Sequence, residues 1–228
     1  MKKLIFIACD TAKIKTIKKI ISDTETKKIN IGYKFGLEFF YSKNGRLFLS
    51  KIKNHKIFLD LKLNDIPNTC AASIESLKDL KNINYLTCHI SGGLEMMLAI
   101  KKVAKKTNKN LKLIGVTVLT SFTSHSLKKI GHTKSVNQLV LKQAALANRA
   151  GLDGIVCSGH EVTIVKKIFK GEIITPGIRL SGDRIQDQKR VMTPKQSFAT
   201  GATGIVIGRS MTQGNIKNNI QKLINSLK

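Results

Sequence analysis

Three ionisable side chains stand within six residues in the run Asp60-Leu61-Lys62-Leu63-Asn64-Asp65. A carboxylate, an ammonium and a second carboxylate at this spacing can transfer a proton or stabilise charge that develops during a reaction. The segment leading into them, Ile57-Phe58-Leu59, is apolar and strand-like. Side chains alternate across a strand, so Phe58, Asp60 and Lys62 share one face while Leu59, Leu61 and Leu63 share the other. With the leucines packed beneath helices, Asp60 and Lys62 project to the opposite side, and Asp65 follows in the loop just before Pro67. Lys34, at the end of an earlier apolar run, supplies a second cation for the same place. The competing reading, an ion-pair network that only plugs the interior, fares worse. Charges at that depth cost several kcal/mol each to desolvate and are poor choices for stability alone.

The elements that position these residues are legible in a repeating pattern. Short apolar, β-branched runs fall at 4–10, 29–36, 56–62, 85–90, 111–119, 154–158, 172–178 and 204–209, each followed by a segment of helical period. Thr11 is a candidate N-cap for a helix with Ile14, Ile17, Ile20 and Ile21 on one face. Asn68 or Thr69 is a candidate cap for a helix bearing Ala72, Ile74 and Leu77, and residues 136–150 form a helix stopped by Gly151. Repeated strand–helix units with near-continuous apolar strands imply a parallel sheet covered by helices. Eight such units in 228 residues favour a closed (β/α)8 barrel over a doubly wound open sheet. No GxGxxG opens a helix after the first strand, which counts against a dinucleotide fold. No linker or break in composition divides the chain, so residues 1–228 read as a single barrel domain.

In such a barrel functional groups lie at the C-terminal strand ends. Those ends carry Asp10, Lys34, the Asp60/Lys62/Asp65 group, His89, Thr120, Ser158, Arg179 and Arg209. Thr175-Pro176-Gly177-Ile178-Arg179 ends the seventh run and Gly208-Arg209-Ser210 the eighth, the usual position of a phosphate site in this architecture. Arg209 offers a bidentate guanidinium, and Gly208 lets the backbone approach closely. Between them a polar stretch of about 180–190, containing Asp187-Gln188, has the length of a mobile lid over a phosphate.

The net charge of +26 invites a nucleic-acid reading. The basic residues are 34 Lys against 6 Arg, spread over almost every helical segment, with no Trp and no aromatic residues interleaved as a stacking platform. This pattern fits biased composition on solvated faces, and no nucleic acid is required. Cys9, Cys70, Cys88 and Cys157 are scattered, outside any zinc-ligand spacing, and read as reduced thiols. The apolar run after Met1 is too short for a signal peptide, and nothing approaches the roughly 18 apolar residues of a membrane span. A cytoplasmic protein without a membrane association is expected, with no metal site and no organic cofactor.

The chain resembles the orotidine 5′-monophosphate decarboxylase family over nearly its whole length. The resemblance is carried by ACD at 8–10, YKFG at 33–36, DLKLNDIPNT at 60–69, HISGG at 89–93, VTVLTS at 116–121, TPGIR at 175–179, DQKRVMTP at 187–194 and IVIGRSMT at 205–212. The DxKxxD pattern is shared with sugar-phosphate relatives, whereas its continuation Ile66-Pro67-Asn68-Thr69, TPGIR and the Asp-Gln-Lys-Arg run are more specific. The resemblance implies a cofactor-independent carboxy-lyase of pyrimidine biosynthesis, converting orotidine 5′-monophosphate to uridine 5′-monophosphate and CO2. Asp10 would then hold the ribose hydroxyls, and Lys34 would bridge ribose and catalytic carboxylates. Asp60 and Lys62 would act from one subunit, with Lys62 protonating the C6 carbanion. Asp65 and Thr69 would reach into the neighbour's site, which makes the implied assembly a homodimer with shared active sites. Thr120 would meet the pyrimidine edge, Gln188 would clasp the phosphate from the lid, and Arg179, Gly208 and Arg209 would complete the phosphate grip. Two positions depart from the family's pattern: Gln186 where a Gly commonly precedes the lid Asp, and Glu95 where Arg is frequent. The nearest rival is a Mg²⁺-dependent sugar-phosphate decarboxylase or aldolase; a rival of another class is a nucleic-acid-binding protein.

Overall fold

The computed structural model describes residues 3–180 and 191–227. Eight parallel strands close into a barrel in sequence order: β1 (Leu4–Ala8), β2 (Asn30–Gly36), β3 (Lys56–Leu63), β4 (Ile83–His89), β5 (Lys112–Val116), β6 (Gly154–Val156), β7 (Glu172–Thr175) and β8 (Gly204–Ile207). β1 pairs with both β2 and β8, which closes the ring. Each strand lies within one of the apolar runs read from the sequence or overlaps it closely, and helices alternate with the strands. The expected (β/α)8 barrel is the observed architecture.

Alternation divides the apolar residues into two layers. Ile5, Ile7 and Cys9 of the first run face outward, into the large core between strands and helices, together with Leu59, Leu61, Ile205 and Ile207. Leu4, Phe6 and Ala8 face inward and meet Phe58, Tyr85, Ile114, Ile174 and Val206. The rings of Phe6 and Phe58 stack edge to face at 4.9 Å, and Phe6 meets Tyr85 at 5.1 Å. This aromatic plug fills the barrel and leaves the charged groups above it as the floor of a mouth. Gly32 makes the plug possible, because a Cβ there would lie 2.8 Å from the Phe6 ring and 2.9 Å from the Lys56 carbonyl.

Two helix starts differ from the expectation. The first helix, Ile14–Thr24, has Lys13 at its N-cap; Thr11 instead accepts the Lys13 backbone N–H at 3.3 Å. The helix after β3 starts at Pro67 with Ile66 as N-cap, so neither Asn68 nor Thr69 caps it. Proline is favoured at the first helical position, where its missing N–H has no intrahelical partner to lose, and this overrides the side-chain capping preference of its neighbours. The helix at Val136–Arg149 follows the expectation: Ser135 caps it reciprocally with Gln138, and Gly151 leaves it at φ +66.

Candidate active site

A cavity of about 680 Å³ opens at the C-terminal ends of the strands. Of the residues singled out in the sequence, Asp10, Lys34, Asp60, Lys62, Thr120, Arg179, Gly208 and Arg209 line it. Asp65 and Thr69 do not. Both are exposed beyond β3, and Asp65 Oδ1 accepts the Ile66 backbone N–H at 2.7 Å. His89 and Ser158 also stand at strand ends without lining the cavity, although the positive charge of Lys62 reaches His89. Gln188 and the lid expected at about 180–190 fall almost entirely on residues 181–190, outside the described residues.

Four charges alternate across the cavity floor. Lys34 Nζ donates to Asp10 Oδ1 at 2.9 Å and stands 3.4 Å from Asp60 Oδ2. Lys62 Nζ donates to the same Asp60 oxygen at 2.9 Å, and the buried Thr87 hydroxyl donates to Asp60 Oδ1 at 2.9 Å. Burial by itself would raise the pKa of Asp60, but the ammonium charges of Lys34 and Lys62, with the hydrogen bonds from Lys62 and Thr87, hold it below the usual carboxylate value. Burial would likewise lower Lys34, and the carboxylates of Asp60 and Asp10 raise it above its ordinary value instead. Asp60 and Lys34 are therefore both kept charged at neutral pH. Beside them, burial and then the Asp10 charge push the Cys9 thiol up to about 12, so it is no nucleophile.

Alternation places Lys62 on the inner face, but its backbone there is not that of a regular strand. Between Leu59↔Leu86 and Leu63↔Cys88 the register of β3 and β4 slips: four residues of β3 advance (59 to 63) against two of β4 (86 to 88). Within this bulge Lys62 adopts φ +52, and its backbone N–H donates to Thr87 Oγ1 at 2.8 Å. The bulge re-aims the side chain toward Asp60. Thr87, a hydrogen-bond partner of the array, was missed by sequence reasoning. A threonine inside an apolar strand reads as an ordinary β-former, and only the pairing with β3 discloses its use.

The strand ends of β7 and β8 carry groups that can hold an anion. Arg179 is only 8% exposed; its Nη1 donates to the Ile178 carbonyl at 3.1 Å, and its buried Nη2 has no hydrogen-bond partner among the described residues. A buried guanidinium with an unused donor is costly unless an anion completes it. The buried Ser210 Oγ, next to Arg209, is likewise without a partner among the described residues. Gly177 at φ +77 turns the chain so that Arg179 faces the cavity, and Arg179 N and Met192 N pair reciprocally with the Met192 and Gly177 carbonyls at 2.9 and 3.2 Å. Val116, Val118, Val156 and Pro176, on or just after β5 to β7, form an apolar wall that in strand order lies between the charged end of β3 and Arg179, and Val206 of β8 adds to the apolar lining. Thr120 and Ser121 supply hydroxyls at its edge; Ser121, Thr212 and Gln213 line the cavity without having been singled out as site residues.

The sequence matches the family described as "Orotidine 5′-phosphate decarboxylase / HUMPS family" over residues 3–221. It is 45% identical over 185 residues to an orotidine 5′-phosphate decarboxylase of Sphingopyxis alaskensis, covering 80% of each chain. Identity to the protein of that name from Erythrobacter litoralis is 41% over 217 residues, 93% of each chain. The fold superposes on the crystal structure of orotidine 5′-phosphate decarboxylase from Lactobacillus acidophilus with a TM-score of 0.85 at 29% identity, over 99% of both chains.

Proposed function

The chain belongs to the orotidine 5′-phosphate decarboxylase / HUMPS family, and from that premise we propose that it converts orotidine 5′-monophosphate to uridine 5′-monophosphate and CO2. The family description spans two chemistries, and the observation that carries this choice is the order of surfaces in the cavity. An alternating charge array stands at the ends of β1 to β3, and a buried guanidinium whose Nη2 has no partner among the described residues follows β7. Apolar residues on or just after β5 to β7 line the cavity wall between β3 and Arg179 in strand order. An open-chain sugar phosphate would set its hydroxyls against that wall unpaired, whereas a flat heterocycle can cover it.

In this reading Arg179, Gly208, Arg209 and Gln188 bind the phosphate, Asp10 and Lys34 the ribose, and Thr120 the edge of the base. The substrate's carboxylate lies against Asp60. Coulomb's law gives such a like-charge contact about 4 kcal/mol at ~4 Å and an effective dielectric of ~20, or about three powers of ten in rate. That contribution is too small to account for a fast decarboxylation, and ground-state destabilisation is only part of the chemistry. The larger share belongs to Lys62, whose ammonium stabilises the negative charge at C6 as CO2 departs and then delivers the proton. Phosphate binding, remote from the breaking bond, supplies binding energy that can be used at the reacting centre of the single barrel domain.

The working unit in this reading is a homodimer in which Asp65 and Thr69 complete the partner's site. Two facts support it: both residues are exposed and away from their own cavity, and they adjoin Ile66, an apolar side chain 66% exposed. A cytoplasmic location accords with four buried cysteines that form no disulfide among the described residues. Among the described residues no helix is long and apolar enough to cross a membrane.

The test is loss of orotidylate absorbance with purified protein in the presence of EDTA, with uridine 5′-monophosphate identified as product. Activity that needs an added divalent metal, with no uridylate formed, would shift the choice to the sugar-phosphate branch.

A further inference from the structure

Asp60 is gripped on both carboxylate oxygens, and one grip comes from outside the charge array. Thr87 on β4 is fully buried and does not line the cavity. Its hydroxyl donates to Asp60 Oδ1 at 2.9 Å and accepts the backbone N–H of Lys62 at 2.8 Å. The second contact fixes the direction of the first. With the amide hydrogen on the acceptor side of the oxygen, the hydroxyl proton is left for the carboxylate. The same amide belongs to a lysine at φ +52, in a region that residues with a Cβ avoid. The register slip of β3 removes the ordinary ladder partner at that point, and the threonine hydroxyl replaces it.

We propose that Thr87 is a positioning residue for the reaction: one hydroxyl orients the Asp60 carboxylate and holds the bulged backbone that carries Lys62, fixing the two relative to each other. The proposal rests on the decarboxylase reading of this site. Because the hydroxyl is hidden beneath the array, its loss acts on the chemical step and leaves substrate contacts in place. Thr87→Val keeps the branched shape and strand preference while removing both hydrogen bonds. It strands a buried amide and one carboxylate oxygen.

The experiment compares wild type, Thr87→Val and Thr87→Ser. Expected for Thr87→Val is a kcat lowered about 10- to 100-fold, the effect of losing a hydrogen bond to a charged group. KM for orotidylate and the affinity for uridine 5′-monophosphate stay within about threefold of wild type, as for a residue that acts only in the transition state. Thr87→Ser, which keeps the hydroxyl, recovers most of the rate. A second readout does not depend on turnover: the Asp60 carboxyl carbon, followed by NMR, titrates at higher pH in Thr87→Val than in wild type, and returns in Thr87→Ser. Wild-type kcat in Thr87→Val overturns the proposal, as does an equal loss in the valine and serine variants with a parallel rise in KM. If wild type does not turn over orotidylate, the activity reading falls, and an unmoved Asp60 titration then overturns the clamp separately. Should Thr87→Val fail to fold, Thr87→Cys, a far weaker donor of similar size, takes its place under the same criteria.

Discussion

Replacing Lys62 by alanine removes the group to which the chemistry assigns most, and the geometry bounds the loss. Lys62 Nζ lies 2.9 Å from Asp60 Oδ2, so a substrate carbon losing its carboxylate beside Asp60 is necessarily within a few ångströms of the ammonium. A full charge developing ~3.5 Å from Nζ gains about 5 kcal/mol at an effective dielectric of ~20, between three and four powers of ten. Proton delivery by a positioned acid contributes about two to four further powers of ten. Removing both leaves a kcat lower by at least about 10⁵-fold, since contributions of one group are not fully additive but neither survives its deletion. The assay is orotidylate consumption under saturating substrate, with uridine 5′-monophosphate binding measured in parallel. Binding is expected to persist, because Arg179 and the wall are untouched and Asp60 keeps Lys34 and Thr87 as partners. A Lys62→Ala protein that binds the product nucleotide and retains even a tenth of the wild-type rate would refute the assignment.

Other outcomes follow from the same geometry. Inactive Lys62→Ala and Asp65→Asn chains, allowed to exchange subunits, should regain about a quarter of wild-type activity, because in each mixed dimer one of two sites carries neither lesion. Exchange demonstrated by mass spectrometry without recovered turnover would show that sites are not shared. Arg179→Ala should raise KM for orotidylate about 10- to 100-fold, the scale of a charge-assisted hydrogen bond, while the slow reaction of phosphate-free orotidine stays unchanged; equal losses for both substrates would contradict a phosphate role. Asp60 also makes a pH prediction. Its folded pKa is depressed, so its contribution to stability is fully present above the unfolded carboxylate value and is lost as the pH falls through the folded value. The stability gap between wild type and Asp60→Asn, measured by urea unfolding, should be flat at neutral pH and begin to close below about pH 4. A gap that stays constant in acid would mean that Asp60 is not held ionised by its neighbours.

Much of this was legible because it depends on residue type and period. Eight apolar runs gave eight strands, and the polar residue ending each of several runs gave Asp10, Lys34, Asp60, Lys62, Thr120 and Arg179, which the fold gathers around one cavity. What the sequence hid depends on pairing. Period two correctly put Lys62 on the inner face, but nothing in Leu61-Lys62-Leu63 announces a left-handed lysine, because that conformation is stabilised by a hydroxyl on the neighbouring strand, 25 residues away. The caps failed for a similar reason. Thr11 and Thr69 have the right chemistry, but Pro67 and the tight exit from β1 set where the backbone first becomes helical. Arg179 was easier to place, since it and Gly177 stand at their own strand end and need no register to bring them to the cavity.

The balance of charge in the floor explains why such an expensive arrangement is stable before substrate arrives. Asp10, Lys34, Asp60 and Lys62 alternate in sign, so the array is neutral as a whole and each carboxylate touches a cation. Desolvation opposes the two buried members, yet the mutual attraction keeps Asp60 ionised and Lys34 protonated. A substrate carboxylate entering beside Asp60 upsets that neutrality by one negative charge. In the proposed reaction CO2 leaves as a neutral molecule, Lys62 gives its proton to C6, and a proton taken up by Lys62 from solvent then restores the balance. Removing Asp60 would make the pocket more welcoming to the substrate's carboxylate and less able to expel it. Tighter binding of an unreactive carboxylate analogue, paired with a slower reaction in Asp60→Asn, is therefore the signature that separates an array built for the reaction from one that only fills the barrel.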